Sequence, residues 1–230
     1  MRVDLLVSMA RTKAKYDDQI ESLFRNGREK KFPKNQIICY QGDPLAAVHL
    51  IKDGFVKAYT ILDSGDTRTM FILGPGDIFP IAFSLTLDWD DYKIKYFYQS
   101  LTDTTLKLLD HDDFKQMIET QPQISKTYIS YMSASNQAMM NQLEAMKHKT
   151  AKDKIMLLLP YLVDKVGKKI RPQTYKLRLK LSHQEIADLC GITRETTTAL
   201  LKEIEADGVL KQRRSTWIVY LDPDQENLLG

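Results

Sequence analysis

Ser182-His183-Gln184-Glu185-Ile186-Ala187-Asp188-Leu189-Cys190-Gly191-Ile192-Thr193-Arg194-Glu195-Thr196-Thr197-Thr198-Ala199-Leu200-Leu201-Lys202-Glu203-Ile204-Glu205 is the stretch whose reading decides the fold. Ser182 and Glu185 have the spacing of a capping box, in which the hydroxyl accepts from the first turn and the carboxylate reaches back to the cap's own N–H. The helix they start turns Ile186, Ala187 and Leu189 inward. It stops at Cys190-Gly191-Ile192, where glycine supplies the left-handed conformation that lets the chain reverse. A second helix opens at Thr193, with Leu200, Leu201 and Ile204 inward and Arg194, Glu195, Thr197 and Thr198 outward on its early turns. Two short helices joined by so tight a turn form a helix-turn-helix, whose second helix enters the major groove of DNA by its N-terminal end.

Three consecutive threonines cost helix stability and are a poor choice on a surface selected only for solubility. Hydroxyls that meet phosphates or base edges, and methyls that meet thymine, explain them better; Arg194 can pair with guanine and Glu195 can accept from cytosine. After Asp207-Gly208, the run Val209 to Tyr220 reads as two strands joined by a basic turn, a wing with Arg213 and Arg214 at its tip for phosphate contact. The candidate DNA-binding set is therefore Ser182, His183, Thr193, Arg194, Glu195, Thr196, Thr197, Thr198, Lys202, Arg213 and Arg214. Charge agrees with it. The chain carries 33 Lys and Arg against 30 Asp and Glu, and the whole excess lies after residue 150, with 12 basic against 6 acidic residues between Lys165 and Arg214.

Upstream, β-rich runs alternate with turn signals from Phe32 to about Asp110: Ile37 to Tyr40, Val48 to Ile51, Phe55 to Leu62 and Thr69 to Leu73, each followed by a glycine-containing turn. Their spacing predicts a small antiparallel roll or barrel. Phe114, Met117 and Ile118 then form a helical stripe ending at Gln121-Pro122. A longer helix from about Gln123 to Lys147 carries Ile124, Tyr128, Tyr131, Ser135, Ala138, Met139, Gln142 and Met146 as a narrow seam suited to pairing with a second copy. Lys149-Thr150-Ala151-Lys152 reads as a hinge, and the following helix, to about Val166, contains Pro160, which should kink it or require local adjustment. The resulting division is a helical segment at 1–30, a roll at 31–110, dimerisation helices at 111–148 and a winged helix at 149–230.

The run Leu181 to Thr196, with Gly208-Val209-Leu210 after it, closely resembles the DNA-binding signature of the Crp-Fnr family of bacterial transcription regulators. Gly42, Gly54, Gly65 and Gly74-Pro75-Gly76-Asp77 fall where that family's β-roll places its turns. The resemblance spans roughly residues 20 to 221. It implies an α+β chain: an N-terminal antiparallel β-roll of the cyclic-nucleotide-binding type with jelly-roll topology, a long dimerisation helix and a C-terminal winged helix-turn-helix. It implies a homodimer on a palindromic promoter site, with RNA polymerase as a partner and activation as the mode. Arg194 and Glu195 match base-reading positions, and Thr198 matches one in the fumarate-nitrate branch. Ala199 stands where an Arg usually reads guanine, which predicts an altered half-site.

Cyclic-nucleotide-binding members carry Gly-Glu-Leu after the Gly-Asp turn and an Arg-Ser further on. This chain has Pro80-Ile81-Ala82 and Ile94-Lys95 there, so it lacks the carboxylate and guanidinium that would hold cyclic AMP. Residues 1–30 hold no cysteine for an iron-sulfur cluster, and Cys39 and Cys190 lack ligand spacing, so no metal or cofactor is expected. His49 and His111, the histidines of the sensor region, are expected at the surface or in packing. Eight rings between Phe71 and Tyr98 admit two readings. They fill the former pocket, the favoured one, or they line an effector site built from Phe79, Ile81, Phe83, Lys95, Tyr96, Tyr131 and Met139. No catalytic constellation, signal peptide or membrane-spanning run is visible, so a cytoplasmic non-enzyme is expected. The rival reading is a nucleotide-like ligand-binding module acting on a protein partner.

Overall fold

The computed structural model describes residues 20–80, 92–133, 150–214 and 216–227. They divide between two compact units, the first ending at Ser133 and the second containing everything from Thr150 on.

In the first unit, eight strands follow one another: β1 (Arg28–Phe32), β2 (Ile37–Cys39), β3 (Ala47–Asp53), β4 (Val56–Ile61), β5 (Thr67–Leu73), β6 (Ile78–Phe79), β7 (Phe97–Ser100) and β8 (Thr104–Asp110). They form two antiparallel four-stranded sheets, ordered β1-β8-β3-β6 and β2-β7-β4-β5. The apolar residues enclosed between the sheets, Val48, Leu50, Val56, Ala58, Phe79, Tyr98 and Leu106, make one core. This is the expected roll. Its turns are tight enough to dictate residue type: Gly54, between β3 and β4, has φ +87°, and a Cβ there would lie 2.4 Å from the Asp103 carbonyl oxygen. The roll also begins earlier than expected. Residues 20–23 are helical, but residues 28–30 belong to β1, with Arg28 opposite Leu108, so the helical segment does not extend to residue 30.

Helix α1 (His111–Thr120) buries Phe114 and packs Met117 and Ile118 against the same core. The next helix, α2, is described over residues 122–133. Its Tyr128, Tyr131 and Met132 are buried in the roll's core with Ile124 packed against it, and the Tyr128 ring meets Phe114 edge-on at 5.0 Å. The first part of the expected dimer seam is therefore turned inward. Aromatic side chains on a helix next to a sheet have more apolar surface to bury there than along a narrow seam. The remaining seam residues, Ser135 to Met146, lie outside the described residues, and Ile129 is the large apolar side chain that α2 leaves exposed, at 52%.

The second unit starts with α3 (Ala151–Val166), which runs through a buried Pro160 at the loss of one ladder hydrogen bond. Thr150, expected in a hinge, is its N-cap: the hydroxyl accepts from Asp153 N–H and the Asp153 carboxylate accepts from Thr150 N–H. Then come β9 (Gly167–Arg171), β10 (Thr174–Leu177), α4 (His183–Cys190), α5 (Arg194–Ala206), β11 (Leu210–Gln212), β12 (Trp217–Tyr220) and α6 (Pro223–Asn227). The strands form one sheet ordered β11-β12-β10-β9, and α3 packs on α4, α5 and β10. Lys152, at the start of α3, lies 2.6 Å from Glu203 and 2.7 Å from Asp207 at the end of α5, and these hydrogen bonds push its pKa up to about 12. Among the described residues, no helix is long and apolar enough to cross a membrane.

Candidate nucleic-acid interface

The local chemistry of residues 182 to 206 produces two helices and a turn. Ser182 accepts from Glu185 N–H through its hydroxyl, while the Glu185 carboxylate accepts from Ser182 N–H at 2.7 Å. Ile186, Ala187, Leu189 and Cys190 are buried, and burial pushes the Cys190 thiol up to about 12, leaving an inert core residue. Gly191 ends α4 at φ 63°, ψ 41°, the left-handed cap that the sequence called for. Two residues later Thr193 caps α5, its hydroxyl oxygen accepting from Thr196 N–H and lying 2.9 Å from the Thr196 hydroxyl.

Helix α5 buries Thr197, Leu201 and Ile204 and leaves Arg194, Glu195, Thr196, Ala199 and Lys202 exposed. Glu195, Ala199 and Lys202 share one face, because positions three and four apart stack along a helix, and Arg194 stands beside them on the exposed first turn. Thr197 departs from expectation. It is fully buried and its hydroxyl donates to the Thr193 carbonyl at 2.9 Å, so it stabilises the first turn and presents nothing to a partner. Thr198 is half-buried: its hydroxyl donates to the Arg194 carbonyl and sits 2.9 Å from His183 Nδ1. Of the three threonines, Thr196 is the exposed one.

His183 also turns inward. Its Nε2 faces Gln212 Oε1 at 3.2 Å, its ring stands edge-on to Trp217 at 6.5 Å, and Gln212 in turn donates to the Glu205 carboxylate through both its backbone N–H and its side-chain amide. Glu205 sets the orientation of the Gln212 amide, so that its oxygen is the atom turned toward His183 Nε2. A chain of contacts thus ties α4, α5 and the first wing strand together. Gln212 was invisible to sequence reasoning, since a glutamine on a short strand carries no motif.

Beyond Gln212, Arg213 N–H donates to the Thr216 carbonyl and closes the wing, which leaves Arg213 and Arg214 exposed at its tip. Lys180, also exposed and also without a sequence signal, donates from Nζ to the Arg214 carbonyl at 3.0 Å and adds a third cation there. A helix N-terminus with exposed Arg, Glu and Lys side chains, flanked by a cationic hairpin, suits a groove bordered by phosphates.

The candidate effector residues are placed differently. Phe79 is fully buried, stacked on His49 at 4.8 Å and on Tyr98 at 4.9 Å. Tyr131 is buried, and its hydroxyl accepts from Ile78 N–H at 3.1 Å. Tyr96 meets Phe71 edge-on at 5.7 Å, and Lys95 is exposed. Ile81, Phe83 and Met139 lie outside the described residues. The described members thus divide between interior and surface. Burial holds the His49 pKa down at about 4, with a hydrogen bond to the Phe79 backbone opposing the shift in part, so this histidine is neutral at neutral pH.

Residues 29–121 match the cyclic nucleotide-binding domain, and residues 155–225 match the Crp-like helix-turn-helix domain. The chain is 28% identical over 184 residues to the global nitrogen regulator of Synechococcus elongatus, covering 79% of this chain and 80% of that protein. It is 23% identical over 184 residues to the cyclic AMP receptor protein of Thermus thermophilus, covering 80% of each. In fold it is similar to the solved structure of FixK2 from Bradyrhizobium japonicum, with a TM-score of 0.71 at 17% identity over 89% of this chain and 98% of that one.

Proposed function

The chain belongs to the Crp-Fnr family and is a DNA-binding transcription regulator, and from that premise we propose that it acts in the cytoplasm as a homodimer on a palindromic promoter site, without cyclic AMP as its signal. The observation that carries the proposal is the set of exposed side chains Arg194, Glu195, Thr196, Ala199 and Lys202 on α5 together with the exposed cations of the wing tip. Arg194 and Glu195 are the base-reading pair; Lys202, Arg213 and Arg214 bind phosphate; Thr193 and Ser182 serve as caps that aim their helices. Ala199 offers a methyl where an arginine would read guanine, so the half-site is relaxed or altered at that step. Bound next to a promoter, the dimer would activate by contacting RNA polymerase; no catalytic step is assigned to it.

Dimerisation is assigned to α2 and the sequence that follows it, with Ile129 as the exposed apolar side chain of the described part. The signal reading rests on the roll's interior, where Phe79, His49 and Tyr98 occupy the space between the sheets, and on Pro80 and Lys95 standing near the places of the family's ribose and phosphate contacts. The test is to select duplexes from a random library with the ligand-free chain, then titrate the selected palindrome by fluorescence anisotropy with and without cyclic AMP. Expected is tight, salt-dependent and sequence-specific binding that cyclic AMP changes by less than about twofold. A rise of about tenfold or more with the nucleotide would refute the signal reading; binding without sequence preference would refute the operator reading.

A further inference from the structure

Half-buried polar side chains close a loop that starts and ends on the reading helix. Glu205, near the C-terminal end of α5, accepts from the Gln212 backbone N–H at 2.9 Å and from its side-chain amide at 3.1 Å. The Gln212 amide oxygen lies 3.2 Å from His183 Nε2, and His183 Nδ1 lies 2.9 Å from the Thr198 hydroxyl. That hydroxyl donates to the Arg194 carbonyl, at 2.9 Å, in the first turn of α5. The relay therefore passes from α5 through the wing and α4 and back to α5. Its two outlets are the residues that face DNA: Arg194 supplies the last carbonyl, and Gln212 is followed directly by Arg213 at the wing tip. The base of the wing is tied to α5 by backbone, with Val209 N–H donating to the Ile204 carbonyl at 3.2 Å. Gln212, three residues on, ends β11, and there the tie to α5 is made by side chains.

A satisfied polar network fixes one arrangement of the elements that supply it, whereas apolar packing of similar volume tolerates several. We propose that Gln212, His183 and Thr198 are positioning residues: their relay holds the wing tip at the one height over α5 from which Arg213 and Arg214 reach phosphate while Arg194 and Glu195 reach bases. The proposal rests on the DNA-binding reading above. It also changes the part played by two residues expected to touch DNA, since His183 and Thr198 then act through their neighbours. On random duplex the wing settles wherever phosphate is offered, and its height over α5 matters little. On the palindrome α5 is registered on bases, so the wing must meet phosphate at one place, and a wing held there in advance binds without the cost of ordering it.

The experiment uses the full chain, its selected palindrome and random duplex of the same length. Wild-type, Gln212→Ala and R213A/R214A chains, and the chain carrying all three substitutions, are titrated by anisotropy across a salt series. Expected is about fivefold weaker binding of Gln212→Ala to the palindrome, with a change within about twofold on random duplex. R213A/R214A should bind both duplexes about tenfold more weakly, with a salt slope smaller by roughly 2 per engaged protomer. Removing the arginines from the Gln212→Ala chain should then cost less than about threefold on the palindrome, because they are already out of place. The other link is cut at Thr198. Thr198→Val, which removes the hydroxyl, should repeat the Gln212→Ala result, and Thr198→Ser, which keeps it, should bind as wild type and select the same half-site. Equal cost of losing the arginines with and without Gln212 would overturn the proposal, as would Val and Ser variants that bind alike. A changed half-site in Thr198→Ser would overturn it too, by making Thr198 a reader of bases. Wild-type binding without sequence preference would overturn the DNA-binding reading itself, and this proposal with it.

Discussion

In the N-terminal unit the rings of His49, Phe79 and Tyr98 stack on one another inside the roll, whereas in the C-terminal unit Arg194, Glu195, Lys202, Arg213 and Arg214 stand in solvent. Both sets contain residue types rich in recognition chemistry. Only the second is left unused by folding. The stacked rings of the roll pack against one another, while a reading helix whose polar side chains face solvent keeps them for another molecule. The same contrast runs through one helix: Thr197 is consumed by the first turn of α5, while Thr196, one residue earlier, is exposed.

The contrast makes predictions of graded size. Phe79→Ala should produce the largest effect, a loss of about 3 to 5 kcal/mol from the stability of the N-terminal unit, because it empties the centre of the stack. Urea unfolding followed by tyrosine fluorescence measures it, and a loss below about 1 kcal/mol would mean that the roll's interior is not structural. Next comes acid sensitivity. His49 has a native pKa of about 4 against an ordinary 6.5, so between those values the unfolded chain binds a proton that the folded one refuses. Stability should therefore fall as pH drops through that window, by about 3 kcal/mol from this group, and be unaffected by it at higher pH. His49→Phe should remove that share of the acid loss; an identical pH profile in the variant would contradict the assignment. The smallest effect belongs to the wing tip. Arg214→Ala should weaken every duplex by the same factor, under about 1 kcal/mol, and lower the salt slope by roughly 1 without changing the melting temperature. A loss confined to the selected palindrome would make Arg214 a reader of bases instead.

How much of this was legible in the sequence varies with how local the governing chemistry is. The Ser182 and Glu185 capping box and the Gly191 turn depend on residues within a few positions of each other, and both appear as expected. The wing followed from Asp207-Gly208 and alternating apolar residues, and β2 to β5 from turn glycines. The β9-β10 hairpin escaped notice because its reversal, Arg171-Pro172-Gln173-Thr174, contains no glycine and puts Gln173 at φ 58°. β1 was hidden for a similar reason: Arg28-Glu29-Lys30-Lys31 has little apolar character and is a strand because β8 pairs with it. The partners of His183, Gln212 and Trp217, lie far along the chain, where no spacing rule reaches, and the inward turn of Thr197 is a choice of helix face that three consecutive threonines do not reveal. Tyr128 and Tyr131 had the periodicity of an interhelical seam, yet periodicity fixes which residues share a face and not what covers it.

The central claim, that α5 reads sequence through side chains the fold leaves exposed, is tested most directly by titrating Arg194→Ala against the selected palindrome and against random duplex of the same length. The account predicts a loss of about 1 to 3 kcal/mol on the palindrome, little change on random duplex and an unaltered melting temperature. Equal losses on both duplexes would contradict it and reduce Arg194 to a phosphate contact.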